Sequence, residues 1–352
     1  MRVVFMGTPD FAAASLERTA EAGHEILAAV TGEDKPVGRG NKIQFCAVKQ
    51  TALKYGIPVL QPQGVRGDEI YETLRELDPE IIIVAAYGHI IPKRILDLPP
   101  YGCINVHASL LPAYRGAAPI QWAVIDGQKV SGVTIMQMNE GLDTGDMIAR
   151  AEVELAPDET GGSLFDRLSS VGAELLTKTL EQIAAGTVDA APQPAESPTP
   201  YARMIRKQDG KIDWTRSAVQ IERLIRGLNP WPSAYTELEG RMLKIWSAEV
   251  CPSPDAEGSL PGAARQADER VCENSCSEDA AAPQPDGIRE NKDSDGAAAL
   301  RPGTICEVTK SGFSVQTGEG VLRILELQLA GKKRMQAAEF LRGFQLQEGA
   351  YL

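Results

Sequence analysis

Several features are missing or scarce in this chain of 352 residues, and each absence excludes a class of protein. No apolar run approaches the roughly 20 residues needed to span a bilayer, so we expect no membrane partner. The first residues are typical of a strand and turn rather than of a signal peptide. The six cysteines are scattered, and the pair Cys272 and Cys276 has no histidine or second cysteine pair beside it. We therefore expect a cytoplasmic protein with no metal site and no disulfide framework.

Histidine is scarce as well, since His24, His89 and His107 are the only three in the chain. The last of them lies in the most informative stretch, residues 101–126, which reads YGCINVHASLLPAYRGAAPIQWAVID. This stretch begins as a buried strand, continues through an irregular loop containing Pro112, and becomes a helix over residues 117–126. The carboxyl end of a strand followed by a helix start is where open α/β sheets bind ligands.

Two polar side chains end that strand, Asn105 and His107. Because residues two apart in a strand point to the same face, both side chains are expected to aim at one place. Asp143 follows the next apolar strand in a turn flanked by Gly141 and Gly145, from which a carboxylate could reach the imidazole. From spacing alone, the alternative is a capped strand end whose side chains satisfy local backbone groups.

The segments INVHASLLPAYRGAAPIQW and GLDTGD resemble the signature of the 10-formyltetrahydrofolate-dependent formyltransferase family. The resemblance extends through MRVVFMGTPDFA, RGLNPWP and GKKRM to nearly the whole chain, except residues 252–301, and favours the members that act on methionyl-tRNA. It implies that the formyl group of 10-formyltetrahydrofolate, a folate co-substrate, is transferred to a primary amine without a metal.

The resemblance also assigns roles to residues. Catalysis falls to Asn105 and His107 as donors to the developing oxyanion, with Asp143 beside the imidazole. The folate-binding signature falls on four consecutive residues: Ser109, Leu110, Leu111 and Pro112. Arg115 either belongs to that signature or staples the loop through backbone carbonyls.

The stretch 32–50 is far longer than the ~2–6 residues usual between a strand and a helix. It is rich in glycine and lysine or arginine, and a solvated loop is the alternative to a functional one. In tRNA-acting family members the similar loop reaches the acceptor stem, which implies tRNA binding by Lys35, Arg39 and Lys42. The pattern departs from the family at residues 45–47, FCA.

The expected fold is α/β, with a Rossmann-like N-terminal formyltransferase domain over residues 1–190 and a smaller C-terminal OB-like β-barrel domain over residues 205–352. A proline-rich linker, residues 191–204, joins them. Residues 252–301 contain almost no large apolar side chains, and we interpret them as a disordered or loosely packed insertion.

The net charge of −12 argues against a nucleic-acid partner until its distribution is considered. Residues 252–301 carry 11 acidic and 5 basic side chains, whereas the flanking parts of the C-terminal half are mildly basic. From the resemblance, we expect a monomer that formylates initiator methionyl-tRNA. The alternatives are a formyltransferase for glycinamide ribonucleotide or an amino sugar nucleotide, a formyltetrahydrofolate hydrolase, or a catalytically silent RNA- or folate-binding protein.

Overall fold

The computed structural model describes residues 1–37, 42–252 and 300–352. The strands of the N-terminal half are β1 (Arg2–Gly7), β2 (Glu25–Val30), β3 (Lys35–Val37), β4 (Lys42–Gln44), β5 (Val59–Leu60), β6 (Ile81–Ala85), β7 (Cys103–His107), β8 (Val130–Gln137) and β9 (Met147–Glu154). Its helices are α1 (Asp10–Glu21), α2 (Ala47–Lys54), α3 (Asp68–Leu77), α4 (Lys93–Leu96), α5 (Pro119–Ile125) and α6 (Gly161–Ala184).

Seven of these strands form one sheet in the order β5-β2-β1-β6-β7-β8-β9. The strands from β5 to β7 are parallel, and β8 and β9 are antiparallel to their neighbours. The strand order reverses on the two sides of β1, as it does in doubly wound folds. The expected α/β domain with a parallel sheet is confirmed.

Apolar side chains cover both faces of this sheet, since helices pack on each side. In β7, Ile104 and Val106 join the cluster under α1 and α6, while Cys103 joins the opposite cluster beside α3 and α4. The two-residue period therefore places Asn105 and His107 on the face of Cys103, at the carboxyl end of the strand.

The C-terminal half contains α7 (Ala218–Gly227), β10 (Ala234–Leu238), β11 (Arg241–Val250), β12 (Ile305–Thr309), β13 (Gly312–Gln316), β14 (Val321–Leu329), β15 (Met335–Gln336) and α8 (Ala337–Gly343). Ser217 and Gln220 form the capping box that begins α7. Pairing runs β10-β11-β14-β13-β12, with β15 on β14. This is the expected antiparallel domain, but within the described residues β10 does not pair with β12, so closure into an OB-like barrel stays a prediction.

The stretch 32–50 contains more regular structure than the sequence predicted. Strands β3 and β4 pair as an antiparallel hairpin, and α2 already begins at Ala47. Val37 in β3 and Ile43 in β4 have the β-branched side chains that favour strands, a signal that the surrounding glycines and charged residues outweighed in the sequence. Residues 38–41, including Arg39, and residues 253–299, which make up most of the predicted insertion, lie outside the described part of the chain.

The proline-rich segment 191–204 contacts the N-terminal domain at both of its ends. Ala191 pairs with Met147 at the start of β9, and Ala202 pairs with Gly116. Across the described ranges, no helix combines the length and the apolar character required to cross a membrane.

Candidate active site

The imidazole of His107 lies between a backbone carbonyl and a carboxylate. Its Nε2 is 3.1 Å from the carbonyl oxygen of Tyr114, and its Nδ1 is 3.8 Å from Oδ1 of Asp143. A carbonyl oxygen only accepts, so Nε2 carries the proton in this arrangement. The 3.8 Å separation exceeds a direct hydrogen bond and is of the kind that a water or a substrate atom bridges.

Asp143 is held by its other oxygen. Its Oδ2 accepts a hydrogen bond from the backbone N–H of Gly116 at 2.9 Å, and its side chain is 20% exposed. The residue itself adopts the left-handed conformation, with φ of 52°. The sequence assigned the tight turn to the flanking glycines, but Gly145 serves close approach instead, because a Cβ there would lie 1.7 Å from the carbonyl oxygen of Gln137.

Asn105 is half-buried, and its amide has no hydrogen-bond partner anywhere in the described ranges. It shares the sheet face of His107, as the spacing predicted. The structure thus brings the three predicted catalytic side chains to one end of β7, with a free amide, an imidazole and a carboxylate. Their catalytic roles stay predictions.

The side chain of Thr134, on β8, holds the backbone of the loop after β7 through two hydrogen bonds. The Thr134 hydroxyl donates to the carbonyl oxygen of Ser109 at 2.7 Å and accepts from the N–H of Leu111 at 3.1 Å. The Ser109 hydroxyl donates to the carbonyl oxygen of Ala113 at 2.6 Å. Thr134 is fully buried, so its hydroxyl has no access to solvent and satisfies its hydrogen bonds with the backbone of this loop.

The four residues predicted to bind folate lie in this loop. Ser109 and Leu111 are buried, and the Ser109 hydroxyl is already bonded inside the loop. Leu110 and Pro112 are half-buried and retain exposed atoms. A direct side-chain contact with a ligand is therefore geometrically open to Leu110 and Pro112 rather than to their two neighbours.

A cavity of about 560 Å³ opens beside the turn that precedes Asp143. Its lining includes Leu96, Gly102, Met138, Asn139 and Glu140. It lies toward the amino end of β7, about 13 Å from the His107 end at ~3.3 Å per residue.

The turn after β6 borders the same face of the sheet. Ala86 has a positive φ of 43° and is exposed. Burial raises the pKa of the neighbouring Tyr87 to about 12, which keeps its hydroxyl protonated.

The chain matches the formyl transferase family over residues 1–180 and the formyl transferase C-terminal domain over residues 204–345. The chain belongs to the formyl transferase family. Among curated relatives, the methionyl-tRNA formyltransferase of Agathobacter rectalis is 50% identical over 351 residues, covering 100% of this chain and 99% of its own length. That of Geobacter metallireducens is 42% identical, with 100% and 98% covered.

Solved structures give the same fold at low identity. The N-formyltransferase from Helicobacter canadensis, solved with folinic acid and dTDP-3-aminofucose, has a TM-score of 0.60 at 16% identity, covering 92% of this chain and 98% of its own. HypX from Aquifex aeolicus has a TM-score of 0.57 at 15% identity, covering 97% and 48%. At this level of identity, these two similarities show only that the fold is shared.

In this formyl transferase, side-chain hydrogen bonds hold both ends of the basic stretch 32–50 against the N-terminal domain. Lys49 donates to Oδ2 of Asp34 at 2.5 Å and to the amide oxygen of Gln61 at 2.7 Å. Of the predicted tRNA-binding residues, Lys35 and Lys42 lie on the two strands of the hairpin, and Arg39 lies outside the described residues. The charge of Lys49 is paired with the carboxylate of Asp34.

Arg115 staples the site loop, as one of its two predicted roles required. Its guanidinium donates to the side-chain oxygen of Gln193 and to the carbonyl oxygens of Pro194 and Ala195. The sequence missed Thr134 and Gln193, because a lone threonine in an apolar strand and a glutamine in a proline-rich linker carry no local signal. Glycine at position 116 was visible in the motif, but its contact with Asp143 was not.

Proposed function

We propose that this formyl transferase moves the formyl group of 10-formyltetrahydrofolate to the amino group of methionyl-tRNA. The observation that carries the proposal is the match to methionyl-tRNA formyltransferases along the whole chain, through both domains. The geometry at the end of β7 supports it, since acyl transfer to an amine needs an oxyanion donor and a proton carrier in one place.

The free amide of Asn105 fits the first need. When bound, 10-formyltetrahydrofolate supplies the formyl group, and negative charge develops on the formyl oxygen as the amine attacks the carbon. The Asn105 amide has two N–H groups and no partner among the described residues, so it can donate without first breaking another bond.

His107 and Asp143 fit the second need. The amine loses a proton as the new carbon–nitrogen bond forms, and N10 of the folate gains one as its bond to the formyl carbon breaks. The 3.8 Å gap between Nδ1 of His107 and Oδ1 of Asp143 gives a water room to carry that proton. With Nε2 occupied by the Tyr114 carbonyl, Nδ1 is the ring atom left to face the substrate.

A candidate place for the folate ring system lies at the turn that precedes Asp143 in the chain. The cavity lined by Leu96, Met138 and Asn139 offers apolar side chains together with the backbone of the 138–140 turn. A flat co-substrate held by that turn would present its formyl group toward Asp143 and Asn105. Leu110 and Pro112 lie in the loop that follows His107 and retain exposed atoms for contact with the co-substrate.

The tRNA side of the proposal rests on the hairpin and the C-terminal domain. Lys35, Arg39 and Lys42 would contact phosphates of the acceptor stem and position the aminoacylated end. The C-terminal sheet would act as an OB-like module on the body of the tRNA. The preferred substrate is the initiator tRNA, and the site of action is the cytoplasm, where translation begins.

The test is formylation by the purified protein of initiator and elongator methionyl-tRNA, with 10-formyltetrahydrofolate as donor. We expect N-formylmethionine on the initiator tRNA and far less on the elongator. A dTDP-amino sugar and glycinamide ribonucleotide serve as competing acceptors. Preferential formylation of either small amine, or of neither tRNA, would refute the proposal.

A further inference from the structure

Gln193 is half-buried in a linker whose neighbouring residues on both sides are exposed. Its side-chain nitrogen donates to the carbonyl oxygen of Asp143 at 3.0 Å and to that of Gly145 at 2.7 Å. Its side-chain oxygen accepts from Nε and Nη2 of Arg115 at 3.0 and 2.9 Å. One side chain from the interdomain linker thus joins the two loops that form the site.

The amide of Gln193 is fully used in this arrangement. Its two N–H groups meet two carbonyl oxygens, and its oxygen receives two donors from the guanidinium. Exchanging the positions of its oxygen and nitrogen would set acceptor against acceptor and donor against donor. The contacts therefore fix one orientation of the Gln193 side-chain amide. A residue that served only as a spacer in the linker would not require a fixed side chain.

These bonds close a ring around Asp143. The Asp143 carboxylate accepts from the N–H of Gly116, Gly116 follows Arg115 in the chain, and Arg115 returns through Gln193 to the Asp143 carbonyl. Asp143 has a positive φ, a conformation that costs a non-glycine residue free energy and persists where surrounding contacts offset that cost. Gln193 holds the backbone of this residue directly.

We propose that Gln193 is a positioning residue, which sets the place of the Asp143 carboxylate relative to His107 and so makes the linker part of the catalytic scaffold. The kinetic effects expected of Gln193 variants rest on the proposed function, because they are measured as formylation of methionyl-tRNA. The competing explanation is that Gln193 only fastens the linker to the domain.

The kinetic test compares Gln193→Ala and Gln193→Glu with Glu196→Ala, which removes an exposed side chain of the same linker that has no partner among the described residues. We expect both Gln193 variants to lose roughly 10–100-fold in kcat, with KM for tRNA and for folate within about twofold of wild type. Glutamate keeps an acceptor for Arg115 but loses the donors to Asp143 and Gly145, so it should not rescue. Wild-type kcat in Gln193→Ala would overturn the proposal.

A double-mutant cycle separates positioning from fastening. If Gln193 acts through Asp143, Gln193→Ala should cost almost nothing further in an Asp143→Asn background. A multiplied loss, equal to the product of the two single effects, would overturn the proposal in favour of fastening alone.

Amide hydrogen exchange gives a readout that needs no substrate. We expect Gln193→Ala to speed exchange in segments 113–117 and 139–147, while Glu196→Ala leaves both unchanged and both variants keep the wild-type Tm within a few degrees. Unchanged exchange in those segments would overturn the proposal for Gln193. This readout does not depend on activity, whereas failure of the wild-type protein to formylate any tRNA would refute the proposed function separately.

Discussion

The carboxylate of Asp143 accepts a hydrogen bond from the backbone N–H of Gly116 at 2.9 Å, although 27 residues separate them in the chain. This bond joins the loop after β7 to the loop after β8 and leaves the second carboxylate oxygen facing His107. The acid is therefore placed by the backbone of the loop that follows the histidine, rather than by the histidine alone.

We expect Asp143→Ala to lower kcat by roughly 10²–10⁴, because the change removes the carboxylate to which we assign the support of proton transfer by the imidazole. Steady-state formylation of methionyl-tRNA measures the effect. The matched control is Asp146→Ala, which removes an exposed carboxylate from the same turn. Equal losses in the two variants would mean that net charge of the turn, not the position of Asp143, supports the reaction.

Asn105→Ala should lower kcat by about 10²–10³, the usual effect of removing one oxyanion donor. Its folate dissociation constant should stay close to that of wild type, since the amide is expected to act as charge develops rather than in ground-state binding. Fluorescence titration with a folate analogue measures that constant. A proportionate loss of folate affinity and unchanged kcat would reassign Asn105 to binding.

Gly116→Ala should destabilise the protein by about 1–3 kcal/mol and impair turnover. Gly116 has φ of 129°, and a Cβ there would lie 2.5 Å from the carbonyl oxygen of Ala202. Relieving that clash displaces the N–H that binds Asp143. Thermal unfolding and kcat are the measurements, and Gly64→Ala, where no heavy atom lies within 4 Å of the added Cβ, is the control expected to change neither.

Asp34 should contribute a pH-dependent part of the stability. Hydrogen bonds from Lys49 and Gln61 lower the pKa of Asp34, so its stabilisation is present above the ordinary aspartate value of ~3.9 and is lost as pH falls through the lower folded value. Asp34→Asn should therefore lower Tm at pH 7, and the difference from wild type should vanish in strong acid. A constant difference across that range would show that charge is not its cause.

The basic residues of the stretch 32–50 should affect the kinetics with tRNA and leave folate binding unchanged. We expect Arg39→Ala to lower kcat/KM for initiator tRNA strongly, and Lys35→Ala and Lys42→Ala more weakly, with each defect shrinking as salt rises because phosphate contacts are screened. The folate dissociation constant is the internal control. Unchanged tRNA kinetics in Arg39→Ala, or a matching loss of folate affinity, would contradict this assignment.

Periodicity and local chemistry are sufficient to predict much of this protein. The strand ending at Asn105 and His107, the helix opened by Ser217 and Gln220, and the antiparallel strands of the C-terminal half each rest on signals within a few residues. Such signals persist because burial and capping act on neighbouring residues whatever the rest of the chain does.

Only the tertiary structure decided how the site is held. The bond from Gly116 to Asp143, the anchor from Thr134 to the Ser109 carbonyl, and the contacts of Gln193 join residues that lie 25 to 78 positions apart. Backbone groups in irregular loops must find partners on folding, and the sequence does not say which distant side chain will supply them. The sequence could thus predict which side chains meet at the end of β7, whereas the contacts that hold their loops depend on how the loops and the linker meet.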